Sequence, residues 1–241
     1  HLGTKVLCSR RQKNSKGADF AFNSGTKVSH EIFEGATHVL SCIPPLSNGE
    51  DPVLNQIKTQ LLNSKNLKWV GYLSTTGVYG DTKGEWVNEN TPPNPQQNRS
   101  IRRLSCEKQW LETELPVQIL RLPGIYGPGR SAFESLLKGT VKMVDKPGHV
   151  FSRVHVDDIA GAVLFLINLY SQGKNPSIVN IADNLPSTNL EVIQFAAKLI
   201  KKSVPSTVPF EVAAKTMSPM ALSFWQENRR VDNNLLCNKL G

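Results

Sequence analysis

The stretch YLSTTGVYGD, Tyr72 to Asp81, decides the class of fold. It continues an apolar run that begins KWVG, and a run that is apolar throughout is typical of a parallel strand covered on both faces. Three hydroxyl residues, Ser74, Thr75 and Thr76, then lead into a glycine turn and a tyrosine, Tyr79, that we expect to be exposed. A buried strand that ends in hydroxyls predicts a ligand site at its carboxyl end.

Strand-like and helix-like segments alternate on both sides of this stretch. The strand-like runs are KVLCS, THVLSCI, VQILRL, RVHV and SIVNIA. Between them, PVLNQIKTQLLNSK places Val53, Ile57, Leu61 and Leu62 on one apolar stripe that faces a sheet. This alternation predicts an α/β protein with a doubly wound parallel sheet. No apolar run reaches about 18 residues, so no membrane span is predicted.

The charge and the cysteines narrow the classes of partner. The net charge of +8 over 241 residues favours an anionic partner such as a phosphorylated cofactor. The basic residues are scattered with few aromatic residues among them, which argues against nucleic acid. The four cysteines lack metal-site spacing, and Cys8 and Cys42 are expected to be small buried hydrophobes. We therefore predict no metal and a reducing intracellular compartment, the cytoplasm or an organelle such as a plastid.

The turns after the predicted strands are where ligands bind in an open parallel sheet. They read SRR, SCIPP, STTGVYG, LPGIYGPGR and IADNLP. Small, hydroxyl-bearing, proline and glycine residues let the backbone approach a ligand and supply hydrogen bonds. A loop of polar residues, Gly80 to Ser100, is longer than a connector needs and is expected over the pocket.

Four segments in series, YLSTTGVYGD, ILRLPGIYGPGR, RVHVDDIAGAVL and VNIADNLP, resemble the extended short-chain dehydrogenase/reductase superfamily of the NAD-dependent epimerase/dehydratase type. The likeness runs from about Lys5 to Leu240 and is closer to an atypical branch than to the sugar epimerases. It implies a Rossmann-type fold that holds NADP or NAD. Residues 1–128 would form the dinucleotide-binding core, and residues 129–241 would add further strands and a small carboxyl-terminal substrate lid.

The resemblance also shows what this sequence lacks. The Gly-x-Gly-x-x-Gly phosphate loop that follows the first strand of such proteins does not occur here, and HLGTKVLCSRR resembles the end of their first helix and their second strand. We therefore expect the first strand and the Gly-rich loop upstream of His1. Without them the core would be incomplete at its amino end.

The resemblance implies cofactor contacts at the ends of the second and third strands. Arg10 and Arg11 stand where an acidic residue would take the ribose hydroxyls of NAD, which favours NADP, although either arginine could simply face water. Cys42, Ile43 and Pro44 would run beside the ribose and phosphates nearer the adenine. The alternative is that the prolines only end the strand.

Further contacts are implied along the central strands. Ser74 is included among the cofactor contacts, and Pro123, Gly124 and Ile125 would lie against the nicotinamide carboxamide. Arg130 would stand near an anionic group of the substrate. Trp225 would line the substrate pocket, unless it only packs within the lid. A small-molecule substrate is thus the predicted partner, and oligomerisation is left open.

The catalytic set of the superfamily is only partly present. Counting back from the valine of VYG makes Thr75 the residue that would bind the substrate oxygen, unless it merely ends the strand. The expected Tyr-x-x-x-Lys pair is absent, and Ser100 and Leu104 stand at its two positions. A serine is too weak an acid to replace an activated tyrosine, and arginine does not release its proton. Tyr79 is the remaining candidate acid, if it does not simply pack at the rim.

Three functions remain open on the sequence. The preferred one is an NAD(P)-binding oxidoreductase or epimerase/dehydratase-like protein that acts on a small polar substrate. The alternative is a non-catalytic dinucleotide-binding sensor or regulator, which the missing tyrosine and lysine favour. A third, an RNA-associated member of the superfamily, depends only on the basic composition. Whether the protein is an enzyme is therefore undecided at this stage.

Overall fold

The computed structural model describes residues 5–12, 14–23, 27–29 and 31–241. The strands are β1 Ser9–Arg10, β2 Phe20–Ala21, β3 His38–Ser41, β4 Trp69–Thr75, β5 Trp86–Val87, β6 Val117–Leu122, β7 Gly124–Tyr126, β8 Met143–Asp145, β9 Arg153–His155, β10 Ile178–Asn180, β11 Thr207–Pro209 and β12 Arg230–Val231. The helices are α1 Glu31–Glu34, α2 Pro52–Leu62, α3 Asn98–Leu111, α4 Ala132–Leu137, α5 Val156–Ser171, α6 Asn189–Leu199, α7 Phe210–Ala214 and α8 Pro219–Trp225. A 3₁₀ turn spans Thr76–Tyr79 and a π-helical turn spans Leu235–Lys239.

The main sheet has four parallel strands in the order β10-β6-β4-β3. The predicted α/β class with a parallel sheet is confirmed. Two predicted strands lie outside this sheet, because β1 pairs with β2 and β9 pairs with β7 in separate parallel ladders. β1 begins only at Ser9, and Lys5 to Cys8 are not part of a strand. The expected helix end at residues 1–4 lies outside the described residues.

Helices cover both faces of the main sheet, which explains why its strands are apolar throughout. On one face, α2 and α3 pack against Tyr72 and Ile119. On the other face, α5 packs against Leu120 and Val179. Successive residues of one strand point to opposite faces, so Ile119 and Leu120 serve the two cores separately.

Helix α2 begins where its sequence directs it to begin. The Asp51 side chain accepts hydrogen bonds from the backbone N–H groups of Val53 and Leu54 at 2.8 and 3.0 Å, and a proline occupies the first turn. Val53 and two further members of the predicted stripe are buried, but Leu62 is 44% exposed. The prediction for Leu62 is wrong because nine residues is about two and a half helical turns, which places it opposite Val53.

The carboxyl-terminal part forms a small unit beside the sheet. Strands β8 and β11 pair, and α7 and α8 pack with them around Val144, Ala213 and Trp225; we call these four elements the lid. Residues 129–241 also return a strand, β10, to the main sheet. The division of the chain after residue 128 therefore stays a prediction, as does a first strand upstream of His1.

The long polar loop after Gly80 is more ordered than its composition suggested. It contains β5, which pairs with β12 near the carboxyl end. Gly80 has a φ of 73°, and a Cβ there would lie 2.0 Å from the carbonyl oxygen of Asn94, so only glycine fits this fold-back of the loop. Within the part of the chain that is described, no helix has the length and apolar character of a membrane span.

Candidate functional site

Two cavities share the segment that follows β3 at the carboxyl edge of the main sheet, and the wider one also extends along all of β3 and beside α5 to the amino ends of β3 and β4. The wide cavity, about 2170 Å³, lies between β1 and β3. The lid cavity, about 690 Å³, lies between the ends of β4 and β6 and the lid. Pro44 and Pro45, which follow β3, line both cavities. The result is one cleft along the edge at which ligands bind in open parallel sheets.

The wide cavity contains the first group of predicted contacts. Its lining includes Arg10, Arg11, Cys42, Ile43 and Pro44. Cys42 is exposed and Cys8 is half-buried, so the expectation that both are small buried hydrophobes is wrong. The reason is that, in the described residues, β3 pairs on one side only and its other edge faces the cavity.

A buried hydroxyl at the end of β3 is consistent with a ligand in the wide cavity. Ser41 lines this cavity and is only 3% exposed, and its Oγ has no hydrogen-bond partner among the described residues. A buried hydroxyl without a partner is unfavourable, because it has lost water without gaining a protein hydrogen bond. A polar ligand group at this strand end would restore that bond.

The lid cavity contains the second group of predicted contacts. Its lining includes Thr75, Pro123, Gly124, Ile125, Arg130 and Trp225. The Thr75 Oγ1 atom accepts a hydrogen bond from the backbone N–H of Gly77 at 3.1 Å, which leaves its hydroxyl hydrogen available to a ligand. Ser100 lies on the other side of Gly77, where a Cβ would come within 2.6 Å of the Ser100 Oγ atom. Gly77 therefore allows α3 to bring a second hydroxyl close to Thr75.

Two predicted site residues lie outside both cavities. Ser74 is buried, and its hydroxyl donates to Glu107 Oε1. Tyr79 is 1% exposed, so the expectation of an exposed tyrosine is wrong; its hydroxyl donates to Asn180 Oδ1 at 2.8 Å. Burial raises the pKa of Tyr79, which makes it a weaker acid. Cofactor contact by Ser74 and acid catalysis by Tyr79 stay predictions, and neither hydroxyl opens into the cleft.

An ion pair anchors the polar network that contains Ser74 and Tyr79. Arg121 on β6 donates through Nε and Nη2 to the two carboxylate oxygens of Glu107, at 3.1 and 2.6 Å. The Arg121 guanidinium carbon also lies 4.8 Å from the centre of the Tyr79 ring. The pairing of Glu107 with Arg121 was not predicted from the sequence. A sheet residue and a helix residue 14 positions apart give no short-range signal of pairing.

Trp225 both lines the lid cavity and packs inside the lid. It is 9% exposed, and its ring contacts Phe151 edge-on with the centroids 4.9 Å apart. Phe210 and His149 also lie within 6 Å of it. Both interpretations made from the sequence therefore have support, and contact with a substrate stays a prediction.

The lining of the lid cavity is strongly cationic, which the sequence analysis saw only in part. The described lining residues contain one carboxylate, Glu227, and six arginines: Arg99, Arg102, Arg103, Arg130, Arg153 and Arg229. Of these arginines, only Arg130 was predicted from the sequence to lie near an anionic group of the substrate. Three of the arginines lie on α3, which begins beside the Thr75 turn. The fold collects the others from segments far apart in the chain.

Comparisons with known proteins agree with this geometry. A sequence profile of the NAD dependent epimerase/dehydratase family matches residues 47–182. Protein YeeZ of Escherichia coli K12 is 37% identical over 132 residues, which cover 53% of this chain. That match spans 45% of YeeZ, so the chain aligns with less than half the length of this curated relative.

Solved structures extend the likeness over the whole chain. A functionally unknown conserved protein from Silicibacter pomeroyi DSS matches with a TM-score of 0.88 and 37% identity, covering 100% of this chain and 85% of the other. The dTDP-glucose 4,6-dehydratase DesIV from Streptomyces venezuelae, solved with NAD and DAU bound, matches with a TM-score of 0.68 at 16% identity, covering 95% and 75%. This second likeness supports the Rossmann-type fold alone. The family profile, which matches more than half of the chain, shows that the chain belongs to the NAD dependent epimerase/dehydratase family.

Proposed function

We propose that the protein binds NADP or NAD and acts as an oxidoreductase or epimerase/dehydratase-like enzyme on a small polar molecule. The observation that carries this proposal is the continuity of the two cavities at Pro44 and Pro45. A dinucleotide is long enough to need such a path, with its adenosine end in the wide cavity and its nicotinamide in the lid cavity. The substrate would then meet the nicotinamide beside Thr75.

The described residues of the cleft fit the ribose and nicotinamide parts of such a cofactor. The Ser41 hydroxyl is available to a polar group, and Arg10 and Arg11 supply positive charge in the wide cavity. Gly124 is exposed at the lid cavity, where it lets a flat ring approach the backbone after β6. When bound, the nicotinamide would supply hydride transfer. The preference for NADP depends on Arg10 and Arg11 and is part of this proposal.

The chain would contribute positioning rather than a strong acid. Thr75 would donate its hydroxyl hydrogen to a substrate oxygen, while the Gly77 N–H fixes the Thr75 oxygen in place. Ser100 would add a second hydroxyl from α3. The cleft would exclude water where α8 covers the strand ends. The proton that the reaction needs would come from the substrate, from solvent or from another side chain of the cleft.

Titrations with the four nicotinamide cofactors test the proposal on the full chain as it occurs in the cell. NAD⁺, NADP⁺, NADH and NADPH are added singly, and the midpoint of thermal unfolding is recorded. We expect at least one cofactor to raise the midpoint, because a ligand that binds only the folded state stabilises it. Arg10→Ala with Arg11→Ala should weaken the effect of NADPH more than that of NADH. No shift with any of the four would overturn the proposal.

A non-catalytic sensor is the second candidate, and the position of Tyr79 favours it. Tyr79, the tyrosine of the turn that follows Thr75, donates its hydroxyl to Asn180 and is buried away from the cleft. A sensor would bind the cofactor tightly, turn over no substrate in a panel of sugars and carbonyl compounds, and be indifferent to Thr75→Val. An enzyme would lose its activity with this substitution.

An intracellular location, in the cytoplasm or in an organelle, remains part of the proposal. All four cysteines are unpaired, and two of them, Cys42 and Cys237, are exposed. Exposed thiols are better suited to a reducing compartment than to an oxidising one.

A further inference from the structure

The lid cavity has an excess of positive charge that the protein does not neutralise. Its described lining contains six arginines and only one carboxylate, Glu227. A cavity with low-dielectric walls and charges of one sign concentrates ligands of the opposite sign. The six arginines differ in the partners that they have within the fold.

Three of these six arginines donate hydrogen bonds to neutral oxygens within the fold. Arg103 donates to the carbonyl oxygens of Ile43 and Leu73 and to the Tyr72 hydroxyl, all at the ends of β3 and β4. Arg153 donates to two carbonyl oxygens, and Arg102 donates to one. These acceptors are neutral, so they orient the guanidinium groups but leave their charge uncompensated.

Arg229 is paired with Glu227, and the side chains of Arg99 and Arg130 have no hydrogen bond or ion pair among the described residues. Arg130 is exposed, so water already solvates its charge. The partly buried arginine that remains available to a ligand is Arg99. In the described part of the chain it makes no hydrogen bond and no ion pair, and its guanidinium carbon lies 3.9 Å from the centre of the Phe224 ring. Stacking on an aromatic ring fixes the plane of the guanidinium while its N–H edges stay available. Burial lowers the pKa of Arg99, and the nearby Glu227 carboxylate raises it in part, so one anionic neighbour is already present beside the guanidinium.

The start of α3 adds to the positive potential around Arg99. This 14-residue helix begins at Asn98, and the preceding residue, Gln97, makes no capping hydrogen bond through its side chain. The first N–H groups of a helix and its dipole attract negative charge. Gln97 instead donates to Gln226, which holds the helix start against the end of α8.

Glu227 supplies a complementary group in the same part of the cavity. One of its carboxylate oxygens accepts a hydrogen bond from Arg229 at 2.9 Å. The other oxygen, Oε1, is buried and has no partner among the described residues, and the residue is 7% exposed. A buried carboxylate oxygen without a donor is unfavourable, so a ligand hydroxyl would satisfy it.

We propose that the substrate of this cleft carries an acidic group, a carboxylate or a phosphate, that pairs with Arg99, and a hydroxyl that donates to Glu227. This inference rests on the proposed function, because it describes the molecule that would lie beside the nicotinamide. It narrows the substrate class from small polar molecules to hydroxylated acids. The planar guanidinium suits a bidentate pair with either kind of acid.

Binding of small acids to the cofactor-loaded protein tests this inference at constant ionic strength. The probes are malate, succinate, glycerol 3-phosphate and glycerol, titrated by calorimetry. Malate should bind more tightly than succinate, which lacks the hydroxyl, and glycerol 3-phosphate more tightly than glycerol, which lacks the acid. Comparison of malate with glycerol 3-phosphate distinguishes the carboxylate from the phosphate.

Two matched variants locate the binding group. Arg99→Gln should weaken the binding of whichever acid binds more tightly, malate or glycerol 3-phosphate, by about tenfold or more, because a hydrogen bond between charged groups is lost. Arg102→Gln removes the same charge from the same helix, but Arg102 is already bonded to a carbonyl, so the loss should stay below about threefold. Glu227→Gln should reduce the advantage of malate over succinate.

The possible outcomes separate this inference from the proposed function. If the protein binds no cofactor, the proposed function fails first. If it binds cofactor but no acid, or if Arg99→Gln and Arg102→Gln weaken binding equally, the inference about Arg99 is overturned while the proposed function stands. An unchanged unfolding midpoint of the unliganded Arg99→Gln protein would confirm that the variant is folded.

Discussion

The buried network under β4 and the lid cavity above it are built from similar side chains, but their arginines have different partners. In the network, Arg121 forms a two-point ion pair with Glu107, and both side chains are at most 3% exposed. In the lid cavity, Arg99 and its neighbours contact neutral oxygens or an aromatic ring. Ser74 and Thr75, adjacent in β4, belong to the two regions separately. The comparison shows that the partner of an arginine decides its role. An arginine paired with a carboxylate stabilises the fold, and one without such a partner is available to a ligand.

The largest effect is expected from breaking the ion pair of the network. Glu107→Ala would leave Arg121 buried without its carboxylate and should lower the free energy of unfolding by about 3–5 kcal/mol. Equilibrium unfolding in urea measures this loss. Glu112→Ala, an exposed glutamate next to the end of the same helix, should change the stability by less than about 0.5 kcal/mol. A loss below about 1 kcal/mol for Glu107→Ala would show that the pair does not anchor the core.

The next effect concerns a histidine in the wall behind the lid cavity. His149 is 2% exposed, and burial, with help from the Lys146 charge, lowers its pKa to about 4. The unfolded chain would titrate near pH 6.5, so the folded state stays neutral while the unfolded state gains a proton. The contribution of His149 to the free energy of unfolding should be fully present above about pH 6.5, and the free energy of unfolding should fall by about 3 kcal/mol as the pH drops to 4.

His149→Phe isolates this effect from the other titrating groups. Phenylalanine keeps the ring packed between Phe151 and Trp225 but cannot take a proton. Urea unfolding of both proteins at several pH values should give curves that diverge below pH 6.5, with the wild type losing more stability. Parallel curves would show that His149 is not held neutral in the folded protein.

The smallest effect on stability separates the two adjacent hydroxyls of β4. Ser74→Ala removes one donor to the Glu107 carboxylate and should cost about 1–2 kcal/mol of stability without changing cofactor binding. Thr75→Val should cost about 1 kcal/mol, for the lost acceptor of the Gly77 N–H, and lower any turnover by about a hundredfold. Thr75→Ser, which keeps the hydroxyl, is the control and should retain activity.

The reverse pattern would contradict the division between the two regions. Loss of cofactor binding in Ser74→Ala would return Ser74 to the set of cofactor contacts. Unchanged turnover in Thr75→Val would favour the sensor. Unfolding and turnover are measured on the same preparations, so that a loss of folding is not mistaken for a loss of chemistry.

Local patterns were enough to predict the four strands of the main sheet, but not that β1 and β9 pair outside it. The continuous apolar run into Tyr72 reflects a strand covered on both faces, and that environment acts on every residue of the strand in the same way. Proline and glycine at the turn after β6 act through backbone sterics, which are also local. The segment from Pro123 to Ile125 follows β6 and lines the lid cavity, and its contact with the nicotinamide stays a prediction.

Exposure and pairing of single side chains were predicted less well. Tyr79 follows a glycine turn and looked exposed, but the 3₁₀ turn directs its ring toward Arg121 and Asn180. Cys42 lies in an apolar run and looked buried, but the described part of β3 has a partner on one side only. The exposure of Tyr79 and of Cys42 depends on contacts with elements distant in the chain, and a local sequence pattern carries no information about such contacts.

Backbone preference and hydrophobic periodicity act over a few residues, so the alternation of strands and helices and the α/β class follow from the amino-acid order alone. The neutralisation of charge depends on distances between segments far apart in the chain, and only the folded arrangement sets those distances. The folded arrangement pairs Arg121 with Glu107, and it places Arg99 in the lining of the lid cavity together with Glu227. Since Coulomb energy and desolvation depend on position in space, these roles could not be assigned before the chain was folded.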